Sequence, residues 1–396
     1  MPPSRPAFRL GLEVALEDPP EALRHARFGL LCNQASLDAG FRCAHALLGA
    51  RFPGHLRALF TPQHGLFGEE QDNMIESPHG RDPETGIPVH SLYAATRKPS
   101  AEQLKGLDLL VVDLQDVGTR VYTYVWTLML CLEACAAAGV EVLVLDRPNP
   151  IGGRLVEGPP LSPALRSFVG LHPVPMRHGL TLGEAARHIN RSAGLGARLH
   201  VVPMQGWRRD LLWGDLGRTW VPTSPNLPRH EGALVYPGQV LLEGTNVSEG
   251  RGTTTPFEVC GAPWVDPHRL LRELEPVLDD ALVVRPYRFR PTFHKFHGES
   301  CGGLYLHPRE PHAVRSYRFS LGLLAALRRL WPEHFAWRPP PYEYEAVHAP
   351  IDILTGDPGV RSAVDAGAAP AEVARLGAAD AKAWWSAVAE DLLYPA

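Results

Sequence analysis

Short apolar runs alternate with helix-length segments through the first half of the chain. Four strand-like runs, each ending in a polar segment, cover residues 27–32, 56–60, 107–113 and 141–145. Helix-like segments lie between them at 44–48 and at 124–138, where Gly139 closes the longer one. Near-continuous apolar strands separated by helices are typical of βαβ units around a parallel sheet. This pattern predicts an α/β fold.

The alternation is less regular beyond residue 155. Thr181 with Glu184 three positions later is a capping-box pattern and predicts the start of a helix. Further elements are predicted as helices at 267–279 and 320–330 and as a short strand at 301–307. The proline run at 338–341 indicates a surface crossing. We place a domain boundary near residue 230, which divides the chain into 1–230 and 231–396.

Polar side chains cluster directly after the predicted strands. Ligands of open α/β sheets bind at the carboxyl ends of the strands, near a switch in strand order. We therefore expect one rim of the sheet to collect His64, Asp113, Asp116, Arg120, Asp146, Arg147 and Asn149. For Asp146 and Arg147, a mutual ion pair that holds their loop is an equal alternative.

The most polar segment of the chain is 243–254. It carries Glu243, Asn246, Glu249 and Arg251 together with three glycines, and no helix or strand period runs through it. Such groups are costly to bury unless they are paired, so we interpret the segment as a shaped binding loop. Arg251 suits a carboxylate ligand, and the two glutamates suit the carboxylate pair of glycoside hydrolysis. Alternatively, both acids pair with Arg251 and only hold the loop in shape.

Two further loops offer candidate chemistry. After the second strand, His64 is followed by the acids Glu69, Glu70 and Asp72, which predicts a catalytic or substrate loop. The alternative is a histidine that caps backbone beside solvated acids. The segment after the third strand contains Asp116, Arg120 and Tyr122. An acid, a cation and an aromatic ring together are suited to binding a sugar. Here the alternative is a helix entry with Asp116 at its N-terminus. Arg177, His178 and Asn226 lie in constrained loops and are candidate sugar or carboxylate binders.

Composition excludes several classes of function. The 396 residues are 45% hydrophobic and 21% charged, which is ordinary for a globular protein of two domains. A formal net charge of −4 requires no broad basic face for nucleic acid or an anionic membrane. The six cysteines form no CxxC pair, which favours free thiols in a reducing compartment and argues against a zinc site. No nucleotide-binding glycine motif and no GxSxG elbow is present.

Taken together, the motifs resemble a known family, the NamZ-like exo-β-N-acetylmuramidases. The resemblance covers nearly the whole chain and rests on Gln63-His-Gly, Gln115-Asp-Val-Gly-Thr-Arg-Val-Tyr-Thr, Asp146-Arg-Pro-Asn-Pro-Ile-Gly-Gly, Ser167-Phe-Val-Gly, Arg177-His-Gly, Ser224-Pro-Asn and Glu243-Gly-Thr-Asn-Val-Ser-Glu-Gly-Arg-Gly-Thr-Thr. It implies a Rossmann-like catalytic domain, a smaller α/β domain that closes the cleft, and no metal or organic cofactor. It also implies release of N-acetylmuramic acid from the non-reducing end of peptidoglycan fragments. The lactyl carboxylate of that sugar would be a ligand for Arg251, Arg177 or Arg120.

One departure from the family pattern concerns the acid. Many members have Glu in a Pro-Glu-His-Gly motif, where it is regarded as the catalytic acid, but this chain has Gln63. An amide cannot transfer a proton in that role, so either another acid, such as Glu69, Glu70 or Glu249, performs it, or this chain has a different substrate or no hydrolase activity. We take Glu249 as the catalytic carboxylate, with His64 and Asp116 beside it. The predicted substrate-binding set is Gln63, Glu69, Glu70, Arg120, Tyr122, Asn149, Arg177, His178, Asn226, Glu243, Asn246 and Arg251.

Two other functions remain open on the sequence. The amide at Gln63 also suits a non-catalytic protein that binds muropeptides or sugars, and His64 with its neighbouring acids suits a metal-dependent hydrolase. The N-terminal residues include no apolar signal region, and no run of about 18 apolar residues exists, so the expected location is cytoplasmic. The expected partner is a small sugar or muropeptide, and the sequence predicts no oligomeric state.

Overall fold

A computed structural model describes residues 8–71 and 74–395, and its larger sheet has seven strands. These are β1 Phe28–Leu31, β2 Leu56–Thr61, β3 Gly80–Arg81, β4 Pro88–Ser91, β5 Leu109–Val112, β6 Glu141–Leu145 and β7 Leu199–Val202. Their spatial order is β3-β4-β2-β1-β5-β6-β7, and all neighbours are parallel except β3 and β4. The predicted α/β class is confirmed.

Thirteen α-helices are present in the described residues. They are α1 Gly11–Glu17, α2 Glu21–Arg24, α3 Ala44–Arg51, α4 Ala101–Leu104, α5 Tyr124–Ala138, α6 Leu182–Ser192, α7 His230–Gln239, α8 Pro267–Leu274, α9 Ser316–Leu330, α10 Pro350–Thr355, α11 Pro358–Asp365, α12 Pro370–Arg375 and α13 Ala381–Val388. The helix predicted at 267–279 stops early, at Leu274. Pro276 lies in a short 3₁₀ turn there and has no backbone N–H with which to continue the helix.

The strands of the large sheet are apolar along their whole length because both faces are covered. Side chains alternate between the faces, so Leu110 and Val112 of β5 join one hydrophobic core while Leu109 and Val111 join the other. All four side chains are buried. This arrangement explains why a continuous apolar run, without alternation of polar residues, still forms a strand.

Helix ends follow the local signals in the sequence. The backbone of α5 ends at Gly139, which adopts φ 72°, a left-handed conformation that glycine adopts without a Cβ clash. At the start of α6, the Thr181 hydroxyl accepts from the Glu184 N–H, and the Glu184 carboxylate accepts from the Thr181 N–H. The predicted capping box is therefore confirmed.

A second sheet follows in the chain and is antiparallel. Its strands are β8 Val259–Ala262, β9 Leu282–Phe289 and β10 Cys301–Pro308, in the order β8-β10-β9. Helix α9 packs against α7, α8 and α12 beside it. One hydrophobic core includes Val112 of the first sheet, Leu304 of β10 and Leu324 of α9, so the loops of both parts are held in a common framework.

The sequence predicted free cysteine thiols and no membrane-spanning segment. All six cysteines are free thiols, as predicted, and five of them are buried. Within residues 8–71 and 74–395, no helix combines the length and the apolar character that a membrane crossing needs.

Candidate active site

A polar pocket lies where the carboxyl end of β2 meets the segment before α5 and three loops of the second half. Its walls are formed by Gln63, His64, Val121, Tyr122, Thr123, Val169, Ser224, Leu227, Tyr236, Glu243, Arg251, Phe257, Tyr342 and Glu343. Five of these, namely Gln63, His64, Tyr122, Glu243 and Arg251, are among the residues predicted from sequence. The pocket thus combines two carboxylates, one guanidinium and several hydroxyl-bearing rings.

His64 is held as a neutral imidazole. Its Nδ1 lies 2.7 Å from the Glu70 carbonyl, which can only accept, so Nδ1 carries the proton. Its Nε2 accepts from the Ser224 hydroxyl at 3.1 Å. Burial lowers the pKa of His64 to about 4, and the backbone of this residue has φ 75°. Glu70 therefore contributes its backbone carbonyl to the site.

Arg251 is the buried cation of the pocket. One Nη donates to the Glu243 carboxylate at 2.7 Å, and Nε lies 3.2 Å from the Glu249 carboxylate. Burial opposes its charge, but Glu243 and Glu249 outweigh that effect and raise the pKa of Arg251. Although only 5% of Arg251 is exposed, its other terminal nitrogen, Nη1, meets no hydrogen-bond acceptor among the described residues. A buried N–H without a partner favours binding of an anionic or carbonyl group at this point.

Glu243 is shared between Arg251 and an aromatic hydroxyl. The Tyr342 hydroxyl donates to its second carboxylate oxygen at 2.7 Å. This glutamate lies in a 3₁₀ turn at Val240–Gly244, so a single short helical turn aims it into the pocket. Both of its carboxylate oxygens are therefore held by hydrogen bonds from side chains of the second half of the chain.

The second carboxylate of the pocket, Glu343, was missed by the sequence analysis. The preceding prolines are exposed as predicted, but the chain then turns inward and buries Tyr342 and Glu343. Tyr93 donates to the Glu343 carboxyl at 2.8 Å. The available signal was the acidic and aromatic Tyr342-Glu-Tyr-Glu345 directly after a proline run, which confines the backbone.

Glu249, predicted as the catalytic carboxylate, lies behind Arg251 and does not line the pocket. Lys295 lies 2.8 Å and His294 lies 3.3 Å from its two oxygens. Burial alone would raise its pKa, but Lys295, Arg251 and His294 lower it to about 2. A carboxylate so strongly held in its ionised form is a poor proton donor, and its geometry favours the alternative in which it shapes the loop.

Asp116 and His178 form a second buried pair outside the pocket. The Asp116 carboxylate accepts from the Gly118 N–H at 2.6 Å and lies 4.0 Å from His178 Nε2. Burial raises the pKa of Asp116 to about 7 and lowers that of His178 to about 3, so both favour their neutral forms. The pKa of Asp116 suits an acid, but Asp116 is not among the residues that line the pocket.

Several predicted substrate-binding residues are instead committed to the protein backbone. Arg120 donates to the carbonyls of Val174 and Leu354, and Arg177 donates to those of Val314 and Ile151. The amide of Asn149 bonds Leu180 and Ile151, and that of Asn246 bonds His334 and Ala336. None of the four side chains lines the pocket. Because their polar groups connect distant segments, the structure favours a role in holding the fold.

The remaining predicted residues lie near the mouth of the pocket or outside the described residues. Glu69 is exposed and accepts from the Phe67 N–H at 3.2 Å. Asn226 donates to the Gln71 carbonyl at 2.7 Å and so ties the Ser224 loop to the His64 loop. Asp72 lies outside the described residues.

Most of the polar residues predicted to converge at the carboxyl ends of the large sheet's strands do not line the pocket. Asp113 accepts two hydrogen bonds from Arg147, at 2.6 and 2.8 Å, and Asp146 accepts from the hydroxyls of Thr181 and Tyr394. These acids pair within the protein, so the expected convergence brings only His64 of that set to the pocket. In residues 8–71 and 74–395, no group of three or more His, Cys, Asp or Glu side chains could hold a metal ion.

Comparison with known proteins gives consistent matches over most of the chain. The family model for the N-terminal part of the exo-β-N-acetylmuramidase NamZ matches residues 28–231, and that for the C-terminal part matches 234–394. The peptidoglycan β-N-acetylmuramidase NamZ of Bacillus subtilis (strain 168) is 38% identical over 363 residues, which is 92% of this chain and 86% of that protein.

Two crystal structures of DUF1343 family proteins from Bacteroides fragilis have the same fold. One superposes with a TM-score of 0.86 at 30% identity, and the other with a TM-score of 0.75 at 28% identity. In each case the match covers 98% of this chain and 99% of the other.

Proposed function

Because the chain belongs to the NamZ family of exo-β-N-acetylmuramidases, we propose that its polar pocket releases N-acetylmuramic acid from the non-reducing end of peptidoglycan fragments. Membership of that family makes the chain a peptidoglycan glycosidase; the sugar, the exo mode and the site are our assignment. The pocket takes residues from both predicted domains, with Gln63 and His64 from 1–230 and Arg251 and Glu343 from 231–396.

The observation that carries the proposal is the unsatisfied guanidinium of Arg251. Its Nη1 is buried and meets no acceptor among the described residues, while the other Nη donates to Glu243 and Nε lies 3.2 Å from Glu249 in an ion pair without a hydrogen bond. N-Acetylmuramic acid differs from N-acetylglucosamine by a lactyl ether that ends in a carboxylate. That carboxylate supplies the acceptor that Nη1 lacks, and charge-assisted hydrogen bonds of this kind are short and strong.

The remainder of the wall suits a sugar ring. Tyr236 and Phe257 meet edge to face with centroids 4.8 Å apart, and Tyr122 packs against Tyr236 at 6.0 Å. Rings of this kind cover the apolar face of a sugar, while their hydroxyls reach polar groups. Gln63 and the Ser224–His64 pair offer hydrogen-bond partners for hydroxyl or acetamido groups. The proposed reaction consumes water and takes no organic cofactor or metal.

A second candidate is a protein of the same fold that binds the sugar without hydrolysing it. The observation that favours it is Gln63 in the pocket wall, because an amide cannot transfer a proton to the glycosidic oxygen. Turnover separates the two, because both functions need the pocket but only one needs a proton donor. A cytoplasmic location and the absence of nucleic-acid partners stay predictions from the sequence.

The test is hydrolysis of a chromogenic β-N-acetylmuraminide, with the matching β-N-acetylglucosaminide as control. We expect kcat/KM for the muraminide to be higher by at least about 100-fold, since the control leaves the buried Arg251 nitrogen unpaired. Calorimetric binding without turnover of either glycoside would support the binding protein instead. Equal rates on both sugars would remove the lactyl group from recognition. Loss of activity on chelation would favour the metal-dependent hydrolase.

A further inference from the structure

The backbone at Glu343 is held in an unusual conformation that delivers its side chain to the pocket. Glu343 and Tyr344 have φ 44° and 67°, in the left-handed region that residues other than glycine rarely occupy. The turn is closed by two hydrogen bonds of 2.9 Å between the backbones of Tyr342 and Glu345. Backbone strain of this kind is concentrated at functional sites. The conformation therefore indicates a purpose for the Glu343 carboxyl.

Two neighbouring strands supply the partners of this carboxyl. Strands β2 and β4 are parallel neighbours with Thr61 opposite Ser91, so the residues just beyond them, Gln63 and Tyr93, lie side by side. Tyr93 donates to the Glu343 carboxyl at 2.8 Å, and Gln63 also hydrogen-bonds it. The Gln63 carbonyl oxygen is occupied by the Thr123 hydroxyl at 2.9 Å, so its amide nitrogen is the end that faces Glu343.

The two carboxylates of the pocket have contrasting surroundings. Burial, together with the nearby Glu243, raises the pKa of Glu343 to about 7, against the opposing effects of Tyr93, Gln63 and Arg97. Glu243 instead accepts hydrogen bonds from the Arg251 guanidinium and the Tyr342 hydroxyl. Two carboxyl groups with different surroundings in one pocket are the arrangement that glycosidases use for acid and base roles.

We infer that Glu343 is the general acid of this enzyme and that Gln63 positions it. The inference rests on the proposed function. The carboxyl proton of Glu343 passes to the glycosidic oxygen as the bond from that oxygen to the anomeric carbon breaks, and the bonding electrons stay on the oxygen. A water oxygen bonds to the anomeric carbon, and the proton that the water loses restores the starting protonation state. Water is the only co-reactant.

Dependence on the leaving group tests the assignment. A sugar hydroxyl is a poor leaving group, so cleavage of its glycoside depends strongly on protonation by a general acid. 2,4-Dinitrophenolate leaves without protonation, so cleavage of its glycoside depends little on a general acid. The probes are the disaccharide N-acetylmuramyl-β-1,4-N-acetylglucosamine and 2,4-dinitrophenyl β-N-acetylmuraminide. Glu343→Gln should lower kcat for the disaccharide by about 10²- to 10⁴-fold and kcat for the dinitrophenyl glycoside by less than about 10-fold. The control, Glu333→Gln, makes the same change at an exposed residue of the same loop and should leave both rates unchanged.

Each result decides between the two proposals. Equal losses on both probes, or unchanged disaccharide hydrolysis by Glu343→Gln, would overturn the acid role while leaving the glycosidase function intact. Failure of the unmodified enzyme to hydrolyse either probe would remove the function itself. Should Glu343→Gln not fold, the pH profile of the unmodified enzyme decides. The loss of kcat/KM at high pH should be present with the disaccharide and weak with the dinitrophenyl glycoside, and equal losses would reject Glu343.

Discussion

The Ser224 hydroxyl lies 3.1 Å from Nε2 of His64, although 160 positions separate the two residues in the sequence. Because Nδ1 of the same ring donates to the Glu70 carbonyl, both nitrogens of His64 are engaged and its tautomer is set. The neutral imidazole thereby fixes the orientation of the Ser224 hydroxyl in the pocket wall. It does not supply the proton that glycoside cleavage requires.

The folding stability of the protein should decrease at acid pH through His64. Burial lowers its pKa from 6.5 to about 4, so the unfolded chain binds more protons than the folded one between these values. The contribution of His64 is therefore fully present above pH 6.5 and is lost as the pH falls toward 4, to a maximum of about 3 kcal/mol.

Chemical denaturation of the unmodified protein and of His64→Asn at pH 7 and pH 4.5 measures this contribution. Asparagine is chosen because it tolerates the left-handed backbone at position 64. The difference in unfolding free energy between the two proteins should shrink at the lower pH. A difference that does not change with pH would contradict a neutral, buried His64.

Replacing Arg251 should weaken recognition of the lactyl group. Arg251→Lys keeps a charge near Glu243 but cannot reproduce the geometry of a guanidinium. We expect kcat/KM for the β-N-acetylmuraminide to fall by about 10- to 100-fold, with a much smaller change for the β-N-acetylglucosaminide.

Arg177→Lys is the matched control, because Arg177 is equally buried but donates to the carbonyls of Val314 and Ile151. Arg177→Lys should lower the free energy of unfolding and leave unchanged the ratio of kcat/KM for the β-N-acetylmuraminide to kcat/KM for the β-N-acetylglucosaminide. If Arg177→Lys altered that ratio and Arg251→Lys did not, the assignment of the lactyl carboxylate would move to Arg177.

Glu249→Gln distinguishes the catalytic role predicted from the sequence from a structural one. Lys295, Arg251 and His294 surround this carboxylate, so its neutralisation leaves buried cations with less compensation. We expect a loss of about 3–5 kcal/mol in unfolding free energy. The fraction that remains folded should still hydrolyse the muraminide. Urea denaturation measures the unfolding free energy, and an assay normalised to the folded fraction measures the activity. A stable but inactive variant would restore Glu249 as the catalytic carboxylate.

Gln63→Glu should shift the pH profile upward. The new carboxylate would lie beside Glu343 and would replace an amide that donates to it, and both changes favour the protonated form of Glu343. The high-pH limb of kcat/KM with the disaccharide should therefore move to higher pH by about one pH unit or more. Gln63→Met, similar in volume and uncharged, is the comparison for loss of the amide alone. A downward shift in Gln63→Glu would contradict the pairing of the two side chains.

The sequence determined most of the fold because its signals are local. The strands near 56–60 and 141–145, the helix at 124–138 with Gly139 at its end, and the capping box at Thr181 all follow from neighbouring residues. The family followed from seven short motifs in order. The polarity of 243–254 predicted a binding loop and left internal pairing as the alternative, and in the structure Arg251 lines the pocket and also pairs with Glu243 and Glu249.

Only the tertiary structure decided which polar residues face the pocket. Arg251 and Arg177 are alike in the sequence, yet Arg251 lines the pocket and has a terminal nitrogen without an acceptor among the described residues, whereas both terminal nitrogens of Arg177 donate to backbone carbonyls. Glu249 and Glu343 differ in the same way, since three cations hold the first ionised while burial near Glu243 favours the protonated form of the second. Such differences depend on neighbours that are distant in the chain. Periodicity and capping operate over a few residues, whereas the charge and exposure of a buried side chain are set by every segment that packs around it.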